Sequence, residues 1–192
     1  MAYETPGNRI VFLGDSITAG GDWATWFPDR ETHNLGVSGD TTDHLVARLE
    51  SGVSMRPYAV ALLIGTNDLG TRKSVEHLVR NVEYLLVSLR RDLPGTRMLV
   101  QSIMPRGREF AAQLQDANRH LRQFSPSVHA QYLDLWPAFA QADGEIDPEF
   151  STDRLHLTEA GYAAWLAELR PALDRLEAAP PMSMPIKVIR EA

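Results

Sequence analysis

The sequence predicts an α/β fold, a parallel sheet with helices on both of its faces. Three features carry that reading. Apolar, β-favouring runs recur along the chain, and two of them stop abruptly in glycine followed by polar residues. Between the runs lie segments whose apolar residues return at the helical period. The connections are long enough for crossovers, so consecutive strands are expected to run parallel. Polar groups then collect at the carboxyl edge of the sheet, where open α/β sheets take their ligands.

The first run, Ile10 to Leu13, reads as a buried strand that leaves through Gly14–Asp15–Ser16. Ser16 stands where strand gives way to helix, beside free backbone N–H groups that favour negative charge. Trp23, Trp26 and Phe27 follow at the spacing of one helical turn, closed by Pro28. Core packing is the favoured reading of this cluster, and a wall of a substrate pocket is the functional one. Thr32 to Leu35 reads as a second strand running into Gly36–Val37–Ser38–Gly39–Asp40–Thr41–Thr42. Asp40 or Thr41 can cap the next helix, whose stripe is Leu45, Val46 and Leu49 and which Gly52 is expected to stop.

Tyr58 to Ile64 is a nearly unbroken apolar run, the pattern of a strand covered on both faces, and it ends in Gly65–Thr66–Asn67–Asp68. Ser74 caps a long helix with Leu78, Val82, Leu85, Leu86 and Leu89 on one face, ended by Pro94–Gly95. Arg97 to Ile103 is the fourth strand, closed by Met104–Pro105. A polar amphipathic helix is expected from about Arg108 to Phe124, burying Phe110, Leu114, Ala117 and Leu121. Gln131 to Leu135 reads as a short fifth strand. The loop-like stretch from Asp143 to Arg154 then delivers Asp153–Arg154–Leu155–His156. Thr158 caps the last helix, whose stripe is Tyr162, Trp165, Leu166, Leu169, Leu173 and Leu176.

The 192 residues suit one domain with its own core, assigned to 1–178. Residues 179–192, with Pro180, Pro181 and Pro185, read as an extended arm. The arm has three open fates: packing on the body, packing on a second subunit in a homo-oligomer, or disorder without a partner. Hydrophobic content of 44% and charged content of 23% are ordinary for a globular domain. A net charge of −6 without a basic run argues against nucleic acid or anionic membrane partners. Absence of cysteine excludes disulfides and thiolate metal sites. Met1 to Gly7 lacks a cationic-then-apolar leader pattern, and no apolar run approaches the ~20 residues of a membrane span. The expectation is a cytoplasmic enzyme with a small-molecule substrate, no cofactor and no metal.

Serine needs a base to become a nucleophile, and imidazole usually supplies it. Among His33, His44, His77, His120, His129 and His156, only His156 has a carboxylate three residues earlier in a segment expected to be non-helical. A compact turn there can aim Asp153 at one ring nitrogen and leave the other for Ser16. His77 and His120 fall inside predicted helices, at surface or boundary positions. Three donors for an oxyanion lie at the sheet edge: the N–H of Ser16, the N–H of Gly39 and the side-chain amide of Asn67. Taken singly, Gly39 reads first as a plain turn glycine and Asn67 as a loop cap hydrogen-bonding its own backbone.

Gly14–Asp15–Ser16, Gly39 in its glycine-rich turn, Gly65–Thr66–Asn67–Asp68 and Asp153–Arg154–Leu155–His156 together resemble the four ordered blocks of the SGNH (GDSL-type) hydrolases. The order, segment types and spacing agree over most of the chain, with Ile17 standing where the named motif has leucine. The resemblance implies a flavodoxin-like three-layer α/β/α fold with about five strands. It implies Ser16 as nucleophile, His156 as base, Asp153 as its orienting acid, and Ser16, Gly39 and Asn67 as the oxyanion hole. Gly39–Asp40–Thr41–Thr42, Met104–Pro105–Arg106–Gly107 and Leu155–His156–Leu157–Thr158 resemble the branch of platelet-activating-factor acetylhydrolase catalytic subunits and their bacterial relatives. That branch implies a short-chain, acetyl-preferring esterase. Trp23, Trp26 and Leu69 are the candidate pocket walls.

Four alternatives stand beside this reading. The Gly-x-Ser-x-Gly elbow of other serine hydrolases is absent, since Thr18 takes the second glycine's place. Ser38 is a second candidate nucleophile, without the strand-exit context. A lysophospholipase or acyl-thioesterase would use the same machinery on longer chains. A non-catalytic flavodoxin-like binding module would use the helix N-termini but has no need of Asp153, His156 and Asn67 together.

Overall fold

A computed structural model of the protein describes residues 7–179. Its centre is a five-stranded sheet, β1 (Arg9–Gly14), β2 (Glu31–Gly36), β3 (Ala59–Leu63), β4 (Arg97–Gln101) and β5 (Gln131–Leu133), in the order β2-β1-β3-β4-β5. Every pairing is parallel. The apolar runs became strands because both faces of the sheet are covered, as the alternation within them shows. Val11, Leu13, Val60, Leu62, Met98 and Val100 face one core. Ile10, Phe12, Ala59, Ala61, Leu63 and Leu99 face the other. This is the three-layer α/β/α arrangement expected of the sequence.

On the first face lie α3 (Thr42–Ala47), α4 (Leu49–Val53), α6 (Val75–Asp92) and α7 (Ala111–Phe124). The stripe of α6, from Leu78 to Leu89, is buried, and Ser74 caps the helix by accepting the His77 N–H at 3.1 Å. On the second face lie α1 (Ser16–Ala19), α2 (Trp23–Trp26), α8 (Trp136–Phe139) and the long α9 (Glu159–Ala178), which presents Trp165, Leu169, Leu173 and Leu176. Helix α9 runs on through Pro171. The short α5 (Thr66–Gly70) follows β3 directly. Among the described residues no helix is long and apolar enough to cross a membrane.

Several boundaries differ from the expectation. The helix after Thr41 breaks at Arg48 (φ −112, ψ 13) and resumes, so Gly52 lies inside α4, buried against Leu13, rather than ending the helix. The fourth and fifth strands stop at Gln101 and Leu133, where the chain turns out of the ladder. The helix expected from Arg108 begins with a 3₁₀ turn, Arg108–Phe110, and becomes α-helical at Ala111. The proline-rich arm lies outside the described residues apart from Ala179.

Register is what positions the site. Gly14 is level with Gly36 on one side and with Leu63 on the other. The turns after β1, β2 and β3 therefore leave the sheet at one edge and one height. Chain order reverses between β1 and β3, the position at which doubly wound sheets form their crevice.

Candidate active site

Ser16 is the first residue of α1, and Asp15 is its cap, accepting the Ile17 N–H at 3.0 Å. Gly14 is required here by close approach: a Cβ would lie 2.1 Å from Thr18 Oγ1 and 2.3 Å from the Leu63 carbonyl oxygen. The sharp exit from β1 thus depends on a missing side chain, and it lifts the Ser16 hydroxyl to the sheet edge. Ser16 Oγ is 3.1 Å from His156 Nε2, although the two residues are 140 apart in sequence.

His156 Nδ1 lies 2.7 Å from Asp153 Oδ2. The other Asp153 carboxyl oxygen accepts the N–H groups of Leu155 at 2.9 Å and His156 at 2.8 Å, and the Ser151 hydroxyl at 3.2 Å. One Asp153 carboxylate therefore fixes both the turn and the ring, an Asx-type arrangement that Arg154 completes in the left-handed region (φ 63). The His156 hydrogen bond and the two backbone N–H groups hold the Asp153 carboxyl well below the usual carboxylate range, against the opposing effect of desolvation. Such a serine–imidazole–carboxylate relay can move a proton off the hydroxyl and return it to a leaving group.

The turn after β2 brings Gly39 to the same edge. Val37 N–H donates to the Gly14 carbonyl at 3.1 Å, and Asp40 N–H donates to the Val37 carbonyl at 3.1 Å. Gly39 has φ +81, a conformation open to glycine and strained for other residues. The turn after β3 brings Asn67, whose Nδ2 donates to the Asp40 carbonyl at 2.9 Å. Asp68 is wholly buried and accepts the Thr42 N–H at 2.9 Å and the Thr42 hydroxyl at 2.6 Å. Asp15, 1% exposed, has its carboxyl pushed up to about 7 by burial; the Ile17 N–H and His156 oppose this, and Asp40 and Asp68 add to it. Among the described residues no group of three or more His, Asp or Glu side chains is arranged to hold a metal ion.

Two of the expected pocket walls are corrected. Trp23 is 2% exposed, stacks on Phe12 with centroids 3.8 Å apart and donates its Nε1–H to the Thr18 carbonyl. It belongs to the core, and so does Phe27. Leu69 is 3% exposed, packed in the core on the other face because α5 turns it inward. Trp26 is half-buried and packs against Tyr162 with ring centroids 5.4 Å apart, and the two line a cavity of about 390 Å³ together with Glu159 and Leu166. Tyr162 donates its hydroxyl to the Ile17 carbonyl at 2.9 Å, so this cavity adjoins the helix that carries Ser16. Helical spacing signals burial for all of these side chains alike, which is why sequence did not separate them. It also missed Arg48 and Ser151, which carry no pattern beyond ordinary helix and loop composition, and it gave Asp68 no role although the residue closes the Gly65–Thr66–Asn67–Asp68 block.

The chain matches the GDSL-like Lipase/Acylhydrolase family over residues 12–164. It is 29% identical over 179 residues to platelet-activating factor acetylhydrolase IB subunit alpha1 of Bos taurus and of Homo sapiens, covering 88% of this chain and 76% of each relative. A GDSL-like lipase from Bacteroides thetaiotaomicron has the same fold, with TM-score 0.78 and 20% identity, covering 90% of this chain and 92% of that one. An acetyl xylan esterase from Geobacillus stearothermophilus, at 20% identity, superposes with TM-score 0.67 and covers 86% of this chain and 94% of its own. With the matched span running from β1 to α9, the chain belongs to the GDSL-like lipase/acylhydrolase family.

Proposed function

We propose that the protein is a serine-dependent carboxylic ester hydrolase that cleaves short-chain esters, above all acetyl esters, through an acyl-enzyme. The observation that carries the reading is the 3.1 Å approach of Ser16 Oγ to His156 Nε2, with Asp153 at 2.7 Å behind the ring. Ser16 Oγ attacks the ester carbonyl carbon while His156 Nε2 takes its proton. The Asp153 carboxylate holds the ring with Nδ1 protonated and Nε2 free. The oxyanion is received by the N–H groups of Ser16 and Gly39 and by one N–H of the Asn67 amide, whose other N–H serves Asp40. Collapse breaks the ester C–O bond, and His156 returns the proton to the departing alcohol. Water, deprotonated by His156, then attacks the acyl-enzyme and releases the acid and Ser16.

The preference for acetyl rests on the relatives. The homologues in Bos taurus and Homo sapiens are acetylhydrolases by name, and the Geobacillus stearothermophilus neighbour is an acetyl xylan esterase. Trp26 and Tyr162 are the side chains we assign to the alcohol side of the pocket, since their cavity flanks α1.

The test is a series of aryl esters from acetate to decanoate, with a serine-directed organophosphonate in parallel. A steep fall in kcat/KM beyond butyrate and stoichiometric labelling of Ser16 are expected. A plateau to decanoate would replace the acetyl reading by a lysophospholipase-like or thioesterase-like one. Absence of labelling and turnover would leave only a binding module.

A further inference from the structure

The three oxyanion donors assigned above stand on three different turns, and one side chain connects them. Arg48 sits at the break between α3 and α4, and its side chain reaches back to the turn after β2 and to the end of β1. Its Nε–H donates to Asp40 Oδ2 at 2.6 Å, and its Nη2–H donates to the Gly14 carbonyl at 3.0 Å. Gly14 ends the strand that presents Ser16, and Asp40 follows Gly39. The Asp40 carbonyl in turn receives the Asn67 amide at 2.9 Å. Strand end, glycine turn and asparagine are thus tied through one guanidinium and one aspartate.

We propose that Arg48, acting with Asp40, is the positioning residue of the oxyanion hole, an inference that rests on the serine-hydrolase reading above. Two physical effects follow from its place. The planar fork spans two acceptors at once, which a lysine ammonium on a flexible stem cannot do in the same geometry. Its charge also offsets negative charge where more will form. Asp15, Asp40 and Asp68 are all buried near this edge, and Asp40 has Arg48 as its close ion pair, with 10% and 24% of the two side chains exposed. His44 is a weaker neighbour: its Nδ1 lies 3.8 Å from Asp40 Oδ1 while accepting the Thr41 N–H. Arg48 itself touches no reacting atom in this scheme; it acts through the donors.

The experiment compares wild type, Arg48→Lys and Asp40→Asn. The probe is an alkyl trifluoromethyl ketone, to whose carbonyl Ser16 adds to form a hemiketal oxyanion that must sit in the hole. Both variants should lose kcat by ~10–100-fold, the scale of a misplaced donor, with KM changed less than threefold. Inhibitor affinity should fall by the same factor as kcat, and circular dichroism should stay native. Kinetics and inhibitor affinity within twofold of wild type in a folded variant would overturn the proposal. So would a fall in melting temperature with kcat untouched. Asp40→Asn keeps the shape and an acceptor oxygen, so it decides the matter where Arg48→Lys does not fold. Wild type is first titrated with the organophosphonate. If Ser16 of wild type is not labelled, the hydrolase reading fails; if it is labelled and the variants are unaffected, only the positioning role fails.

Discussion

Ser16, Gly39 and Asn67 stand on the exits of β1, β2 and β3, above aspartates that are at most 7% exposed. Asp153 and His156 stand on a loop before α9, with 53% of each side chain exposed. The first half is held from below, by Asp68 on Thr42, by Asn67 on Asp40 and by the ladder that levels Gly14 with Gly36 and Leu63. The second half is held by its own backbone: Asp153 takes two main-chain N–H groups within three residues of itself. The contrast teaches that precision at the proposed oxyanion hole would be a property of the core, whereas the Asp153–His156 geometry is held locally. Damage to the first half should therefore cost both rate and stability, and damage to the second should cost rate almost alone.

The largest effect tests the point at which the halves meet. Ser16→Ala should abolish essentially all turnover with the fold intact by circular dichroism, because one hydroxyl serves both halves. Near-native activity would end the mechanism. Next, Asn67→Ala should lower kcat ~10²–10³-fold, the usual value of one oxyanion donor. An effect under threefold would take Asn67 out of the hole.

The comparison sharpens with a matched pair of acids. Asp68→Ala strands two buried donors, the Thr42 N–H and the Thr42 O–H (whose oxygen still accepts from Asn81), and should cost about 2–5 kcal/mol in urea denaturation. Asp153→Ala should cost about 1 kcal/mol or less in stability, since the group is exposed. It should nevertheless lower kcat ~10³–10⁴-fold by freeing the ring. Equal stability losses would erase the distinction between the halves.

The smallest test concerns pH. The buried Asp15 carboxyl titrates at about 7 in the folded protein and near 3.8 when free. Its folded-state pKa is raised, so folding retains a proton. That contribution is complete below pH 4, is eroded as pH rises, and is gone once pH passes through 7. Asp15→Asn keeps a cap acceptor but cannot ionise. Relative to wild type it should gain stability as pH rises from 5 to 8, by about 2–3 kcal/mol across that window and levelling off above 7, seen as a rising difference in urea midpoint. A difference that stays constant across that range would show that burial does not govern this carboxyl.

Much of this architecture is legible in the amino-acid order alone. Each apolar run that stops in glycine and a polar residue does so at the carboxyl edge, because a strand covered on both faces must end where polar side chains begin. The pairing of Asp153 with His156 is legible for a similarly local reason: three residues across a turn bring a carboxylate to a ring. The pocket walls are not, since Trp23, Trp26 and Leu69 differ only in which way a short helix is rolled against the sheet. Trp23 lies flat on Phe12, while Trp26 looks outward to Tyr162.

The sequence by itself determined the alternation of strand and helix, the edge at which chemistry-bearing residues gather and their order along the chain. Those follow from hydrophobic period and turn chemistry, which act over a few residues. Only the tertiary structure decided that Ser16 meets His156 across 140 residues and that Arg48 reaches Gly14 across 34. Strand order, register and the break between α3 and α4 set those contacts, and they are properties of the packed sheet that no short window of sequence contains.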